Sequence, residues 1–331
     1  MKPQSRHTRR TFLKQTTAAV LTTTVSPICW PAATGDMPLR LFGKTGENVS
    51  LLGLGGFHIG TVREDNEAVR LVREAIDLGV TFMDNAWEYL DGRSEEIMGK
   101  ALADGYRKKV FLMTKHHGRD KKTAMQHLED SLRRLQTDVI DLWQFHEIVY
   151  EKDADMIFAD GGGIEAAVEA KKTGKVRYIG FTGHKDPKYL LAMLDHEFAW
   201  DAAQMPLSVL DAHFRSFEAS VLPICQKRGM AALGMKSQAS GILLRTNTAT
   251  TQEALTYAMN LPVATVISGM NSFEHLRANI EIARNFKPLT EEERKKILDK
   301  TKEVAADGQY EPFKTTNRFD GPIGRKLHGV Q

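Results

Sequence analysis

The sequence predicts an α/β fold: a (β/α)8 TIM barrel with an N-terminal β-hairpin plug and a C-terminal tail. Three observations point there. Eight short apolar runs are spaced along the chain, an amphipathic helical stretch follows each, and no shift in composition marks a second domain. The 331 residues exceed the roughly 250 that such a barrel needs, which leaves length for both additions.

Taken in order, residues 1–35 read as an address. Arg9-Arg10-Thr11-Phe12-Leu13-Lys14 precedes a short apolar run, residues 16–28, and the small residues Ala32-Ala33. The paired arginines with Phe-Leu-Lys resemble a twin-arginine signal, the type that exports proteins already folded. Residues 36–331 are then one barrel domain, exported by the Tat machinery to the periplasm or beyond. Residues 39–42 and 48–50 flank Gly43-Lys44-Thr45-Gly46 and predict a hairpin that plugs the barrel floor.

The apolar runs, residues 51–57, 80–84, 110–114, 140–145, 176–181, 202–205, 230–235 and 264–267, read as strands buried on both faces. Helical spacing covers residues 66–78, 94–103, 124–135, 164–172, 188–196, 217–228, 251–259 and 273–286. Gly79, Gly174 and Gly229 follow three of them, where a left-handed cap is wanted. Thr290-Glu291-Glu292-Glu293 opens one more helix with a capping box. Residues 308–331 are polar and irregular, and either fold over the barrel mouth or stay loose.

Composition excludes several classes. The chain is 42% hydrophobic and 26% charged, so it is neither disordered nor fibrous. Its net charge of +3 comes from the leader, where Lys2, Arg6, Arg9, Arg10 and Lys14 meet no acidic residue. The body is near neutral, without the basic stripe of a nucleic-acid binder. No stretch is long and apolar enough to predict a membrane span. Of the two cysteines, Cys29 lies in the leader and Cys225 in a helical run, where it reads as a small buried residue. Metal is not expected: no His-x-x-x-His or Cys-x-x-Cys pair occurs, and His116-His117 should point different ways.

Polar residues at the C-terminal ends of barrel strands face the active site. Strand two ends at Asp84, strand three at Lys115 and strand four at His146, and Tyr89 follows Asp84 by five residues. The runs Asp84-Asn85-Ala86-Trp87-Glu88-Tyr89, Thr114-Lys115, Asp141-Leu142-Trp143-Gln144-Phe145-His146 and Gly174-Lys175-Val176-Arg177-Tyr178-Ile179-Gly180 together resemble the aldo-keto reductases. The resemblance covers about residues 39–286. It implies an NAD(P)H-dependent oxidoreductase interconverting a carbonyl (aldehyde, ketone or sugar) and an alcohol. Tyr89 would be the proton donor, Lys115 would lower its pKa, Asp84 would hold Lys115, and His146 would donate to the carbonyl oxygen. The hydride must come from a nicotinamide, because no side chain donates one. A nicotinamide-binding sensor with little turnover is the alternative; turnover on a panel of aldehydes separates the two.

The same resemblance places the cofactor across the mouth. Gly56 ends a glycine cluster where the backbone must come close to something. Gln204 matches the glutamine that holds the carboxamide. Thr182, Gly183 and His184 stand where the family has Ser-Asn, with His184 replacing the missing amide. Met235, Lys236 and Ser237 follow strand seven, and Ser268, Gly269, Met270, His275 and Asn279 surround the adenosine half. Lys236 and His275 are the cations that favour NADP(H) over NAD(H). Phe57, Trp87, Trp143 and Tyr150 are expected to wall the substrate pocket, with residues 149–163 as a lid.

Overall fold

The computed structural model of the chain describes residues 36–330; the expected signal peptide lies outside them. Two short strands, β1 (Leu39–Leu41) and β2 (Asn48–Ser50), form an antiparallel hairpin. Eight parallel strands then close a barrel: β3 (Leu52–Gly55), β4 (Phe82–Asp84), β5 (Phe111–His116), β6 (Ile140–Phe145), β7 (Val176–Thr182), β8 (Ala202–Pro206), β9 (Ala231–Met235) and β10 (Thr265–Ser268), which pairs with β3.

Helices follow the strands: α1 (Gly56–Gly60) and α2 (Asp65–Asp77), then α3 (Arg93–Leu102), α4 (Lys121–Leu135), α5 (Asp153–Phe158), α6 (Gly163–Lys172) and α7 (Pro187–Asp195). The set continues through α8 (Phe217–Ser220), α9 (Leu222–Arg228), α10 (Thr251–Asn260), α11 (Phe273–Arg284), α12 (Glu291–Ala305), α13 (Pro312–Thr315) and α14 (Pro322–Leu327). Local chemistry sets the starts. Asp120 accepts the Thr123 N–H at 2.9 Å to open α4, and Thr290 with Glu293 forms the expected capping box of α12. Gly79, Gly174 and Gly229 take φ of 96°, 76° and 67°, as a left-handed cap requires.

Two elements differ from expectation. The first barrel strand stops at Gly55, and residues 56–60 turn into α1. The expected helix over residues 217–228 breaks at Val221, because Pro223 lacks an N–H and fits only the first turn of a new helix.

The hairpin does plug the floor. Phe42 is fully buried, 4.6 Å in ring separation from Phe111, and joins Val49, Phe82, Met113, Leu142, Leu233 and Ile267 in one apolar cluster. The Lys44 N–H donates to the Gly229 carbonyl at 2.9 Å and fixes the hairpin turn to the end of α9. Side chains alternate along each strand. With Phe82, Met113 and Leu142 in the apolar floor, the next inward residues are Asp84, Lys115 and Gln144, so a polar layer lies directly above.

The tail folds over the mouth. It is short helices with buried anchors rather than loose chain, because its polar residues meet partners far away in sequence. Fully buried Lys314 donates to Asp211 at 2.6 Å and to the Phe214 carbonyl at 2.7 Å, and pairs with Glu311 at 3.0 Å. Asp320 pairs with Lys185 and accepts from the Tyr150 hydroxyl at 2.8 Å. His328 lies 2.9 Å from Asp153 at the start of α5, so the expected lid over residues 149–163 carries a short helix, Asp153–Phe158, tied to the tail.

Two predictions follow from these anchors. Removing one partner of a buried ion pair leaves an uncompensated charge, so Lys314→Met should cost about 3–5 kcal/mol in urea unfolding. Burial pushes the carboxyls of Asp211 and Glu311 up to about 6 and about 7, against the pull of Lys314. The folded state then holds protons that the unfolded state releases, so stability falls as pH rises from about 4 to about 7 and levels off above. Glu311→Gln should flatten that slope in urea midpoints taken across the window.

Candidate active site

The site is built where β4, β5 and β6 end. Register brings Gly55 beside Asp84, Lys115 beside Gln144, and Thr182 beside Gln204. Backbone bonds carry the order past the strands: Trp87 N–H to the Lys115 carbonyl at 3.0 Å, His146 N–H to the His116 carbonyl at 2.8 Å, and Ile148 N–H to the Thr182 carbonyl at 2.8 Å. The loops holding Tyr89 and His146 are therefore extensions of the barrel.

Lys115 stands at the centre, 1% exposed. Its ammonium pairs with Asp84 Oδ1, donates to the Asn85 carbonyl at 2.6 Å and donates to the Tyr89 oxygen at 3.2 Å. All three donors are used. Gln204 Nε2 reaches the second Asp84 oxygen at 3.4 Å. The Tyr89 oxygen receives a proton contact from Lys115, so its own O–H is free for the mouth. The ring stands edge-on between Phe57 and His146, at centroid distances of 5.4 and 5.6 Å. The four residues predicted from strand ends thus meet in one cluster.

The electrostatics correct one expectation. Burial raises the Tyr89 phenol well above its ordinary value, and Asp84, Glu88 and Glu147 raise it further. One ammonium does not offset burial plus three carboxylates, so Tyr89 stays protonated rather than poised near neutrality. Burial also acts against Asp84 and Lys115, raising the first and lowering the second, while their attraction opposes both shifts. His146 is pushed down to about 3 by burial, despite the Glu88 carboxylate beside it, and is neutral at physiological pH.

Glu88 and Gln144, which the motifs contained without a role, and Glu147, the residue after the last motif position His146, join the site. Burial acts against the charge on Glu88, yet His117 and His146 hold its carboxyl far below the usual range. Its oxygens lie 2.6 Å from His117 Nε2 and 3.0 Å from His146 Nδ1. Glu147 lies 3.9 Å from His117 Nε2 and accepts the Gly321 N–H of the tail at 2.7 Å. Gln144 is fully buried with neither amide atom hydrogen-bonded. Adjacency to Tyr89 and His146 was the available signal for the two glutamates, and strand alternation was the signal for Gln144. The backbone marks the same places. Leu90 and Asp91 after Tyr89, Glu147 after His146, and Lys236 after Met235 all have φ between 51° and 55°. Non-glycine residues enter this region at about 1 kcal/mol or more each, and such strain gathers at functional sites.

The expected cofactor residues divide. Gly56 approaches the end of β4 so closely that a Cβ would lie 2.4 Å from the Asp84 carbonyl oxygen. Buried Gln204 keeps its Oε1 without a hydrogen-bond partner, an acceptor suited to a carboxamide N–H. Lys236 is half-buried at the mouth. Its Nζ lies over the tail rings of Phe313 and Phe319 at 5.3 and 5.4 Å, and burial lowers it to about 8. Met235 is half-buried, and Ser237, Ser268 and Met270 are buried. Asn279 is tied to Ser268 at 3.0 Å. Gly269 and His275 are exposed, and the His58 ring covers Gly269. Thr182 is buried, and the Gly183 N–H donates to the Gln204 carbonyl at 3.4 Å. His184 is not the free amide substitute expected. It lies 3.6 Å from Asp320 of the tail, and burial lowers it to about 4.

Of the expected pocket walls, Phe57 lies at the mouth, 46% exposed. Trp143 does not, because strand alternation turns it away from the interior, fully buried and stacked on His116 at 3.9 Å. Trp87 turns toward α4, stacked on His127 at 3.7 Å with Nε1 on Asp130 at 3.2 Å. Tyr150 is held by Asp320 and stacks on His328. Among the described residues no helix is long and apolar enough to cross a membrane.

Comparison with known proteins shows the family and the fold. Residues 51–254 match the model of the family described as "Aldo/keto reductase family". An uncharacterized oxidoreductase of Bacillus subtilis, YqkF, is 29% identical over 314 residues, 81% of this chain and 97% of the relative. The L-galactose dehydrogenase of Arabidopsis thaliana is 33% identical over 44% of this chain and 48% of its own length. The solved holo form of aldo-keto reductase AKR11C1 from Bacillus halodurans superposes with a TM-score of 0.66 at 28% identity, covering 83% of this chain and 99% of that one.

The close approach at Gly56 yields a test. Gly56→Ala should push the Asp84 carbonyl away and lower stability by about 1–3 kcal/mol in thermal unfolding.

Proposed function

The chain belongs to the aldo/keto reductase family of NAD(P)H-dependent oxidoreductases, and on that premise we propose that it reduces a carbonyl to an alcohol with Tyr89 as proton donor. The observation that carries this is the use of the Lys115 donors: all three are spent on Asp84, Asn85 and Tyr89, so the Tyr89 oxygen accepts from Lys115 and keeps its own O–H to donate.

A bound nicotinamide supplies the hydride. This chain's own residues do the rest. Neutral His146 and the Tyr89 hydroxyl hold the carbonyl oxygen between them. The Tyr89 proton passes to that oxygen as it becomes an alcohol, and the phenolate left behind is stabilised by the ammonium at 3.2 Å. Gln204 Oε1 would accept from the carboxamide, and Gly56 supports the strand end beneath. The half-buried cation Lys236 favours NADP(H) over NAD(H). The hydrogen-bonded set of Asp84, Lys115 and Tyr89, with His146 against the Tyr89 ring, argues for turnover over a sensor role. Hydroxylated aldehydes lead the substrate panel, because one relative is named an L-galactose dehydrogenase.

We also propose export by the twin-arginine route, from Arg9-Arg10 and the apolar run after them. Folding before export lets the cofactor travel with the protein and stay bound to it.

Tyr89→Phe should lower kcat for carbonyl reduction by about 10²- to 10⁴-fold while nucleotide binding, followed by quenching of protein fluorescence, persists. Unchanged turnover would remove Tyr89 as donor. Replacing Arg9 and Arg10 together by lysine should keep the protein in the cytoplasm on fractionation; continued export would mean another route. Denaturing the purified exported protein should release NADP(H), and an empty protein that binds no added nucleotide would end the reductase reading.

A further inference from the structure

We propose that Glu88, His117 and His146 form a binding site for a divalent transition-metal ion of the zinc class, covered by the C-terminal tail. Three successive barrel connections converge here: the loop after β4 gives Glu88, the end of β5 gives His117, and the end of β6 gives His146. One ligand atom from each lies within 4.8 Å of the others, and this is the one such group among the described residues. Both histidines are buried, at 3% and 7% exposure.

The group is close but not hydrogen-bonded. His117 Nε2 is 2.6 Å from Glu88 Oε2, and His146 Nδ1 is 3.0 Å from Glu88 Oε1. Yet neither contact has hydrogen-bond geometry, so Glu88 Oε2, both His117 nitrogens and His146 Nδ1 are buried without a hydrogen-bond partner. Such atoms call for an explanation, and a missing ion is one. A cation would give Glu88, His146 Nδ1 and His117 Nε2 a partner at once. At about 2.0–2.2 Å from each donor it would space them about 3.3–3.6 Å apart. The 3.0 Å pair is nearly there. The 2.6 Å pair must open by less than about 1 Å, within reach of a side-chain rotation of Glu88.

The donor set selects the ion. Two imidazoles and one carboxylate with an open position suit zinc and its neighbours. Magnesium and calcium want six or more oxygens, which this cluster lacks. Charge agrees, because Glu147 Oε2 lies 3.9 Å from His117 Nε2 and adds a second carboxylate beside the dication. The tail closes the top. A Cβ on Gly321 would lie 2.7 Å from Glu147 Oε2 and 2.8 Å from Glu88 Oε2, so the tail backbone lies directly against the two carboxylates. Because His146 also faces the carbonyl oxygen, an ion held here competes with substrate and slows reduction. Hydride transfer itself does not need it.

The test uses the purified full-length protein, stripped with a chelator and titrated with Zn²⁺ against a chromophoric competitor. One ion per chain is expected, with Co²⁺ giving the intense visible bands of a low-coordinate site and Mg²⁺ not displacing it. His117→Gln and Glu88→Gln should each weaken binding about 100-fold or more, beyond the loss of an outer-shell partner. Circular dichroism checks that each variant is folded; should one not fold, the other variant and the wild-type Co²⁺ spectrum decide. Zinc affinity unchanged in a folded His117→Gln, or a wild type with the pale spectrum of aqueous Co²⁺, would overturn the site. The readout is binding, so it stands apart from whether the protein reduces carbonyls.

Discussion

Everything at the mouth is arranged around the ion pair of Lys115 and Asp84 inside the barrel. Both charges are almost out of water, where each would cost several kcal/mol alone. Mutual attraction offsets part of that. The Asn85 carbonyl, the Tyr89 oxygen and Gln204 satisfy what remains. The dry floor beneath strengthens that attraction and raises the cost of leaving either charge unpaired. Phe42 of the hairpin completes that apolar floor, and strand alternation then forces the next layer of inward residues to be the polar one. Plug, strands and site are one packing problem, and the lysine is where the three meet.

The tail solves a second electrostatic problem. Its charged residues are buried against partners a hundred or more positions away: Lys314 on Asp211, Asp320 on Lys185, His328 on Asp153. A strap held by several such pairs is specific about where it lies, since slipping would leave buried charges unpaired. Its course brings Gly321 over Glu88 and Glu147, and Phe313 with Phe319 over Lys236. Entry of a nucleotide and a substrate therefore has to be considered together with the tail.

The mouth carries more carboxylate than ammonium. Asp84, Glu88 and Glu147 outnumber Lys115 and Lys236, and burial together with those carboxylates keeps the proton on the Tyr89 phenol. That state suits a residue that must give a proton to a carbonyl. The same excess of acceptors beside two histidines is what a cation would neutralise. Polar mouth and apolar floor are thus set to different tasks by a change in side-chain character across one layer of the barrel.

The eight strands, the helices between them, the plug and the tetrad were legible because each rests on local pattern. Strand burial shows as apolar runs, helix faces as spacing, and a strand's last residue as the one aimed at the mouth. Asp84, Lys115 and His146 could be named from their strand ends, and Tyr89 from its spacing after Asp84, with their roles taken from the family resemblance. The directions of Trp87 and Trp143 could not, because a side chain next to a strand end faces the mouth or the helices according to one step of alternation or a loop turn. Nor could the protonation of Tyr89, which sums burial and charges from three separate loops, or the meeting of Glu88, His117 and His146, or the path of the tail over them. Those depend on distances between residues remote in the chain. Local composition fixes which elements form, and closure of the barrel fixes which of their side chains meet.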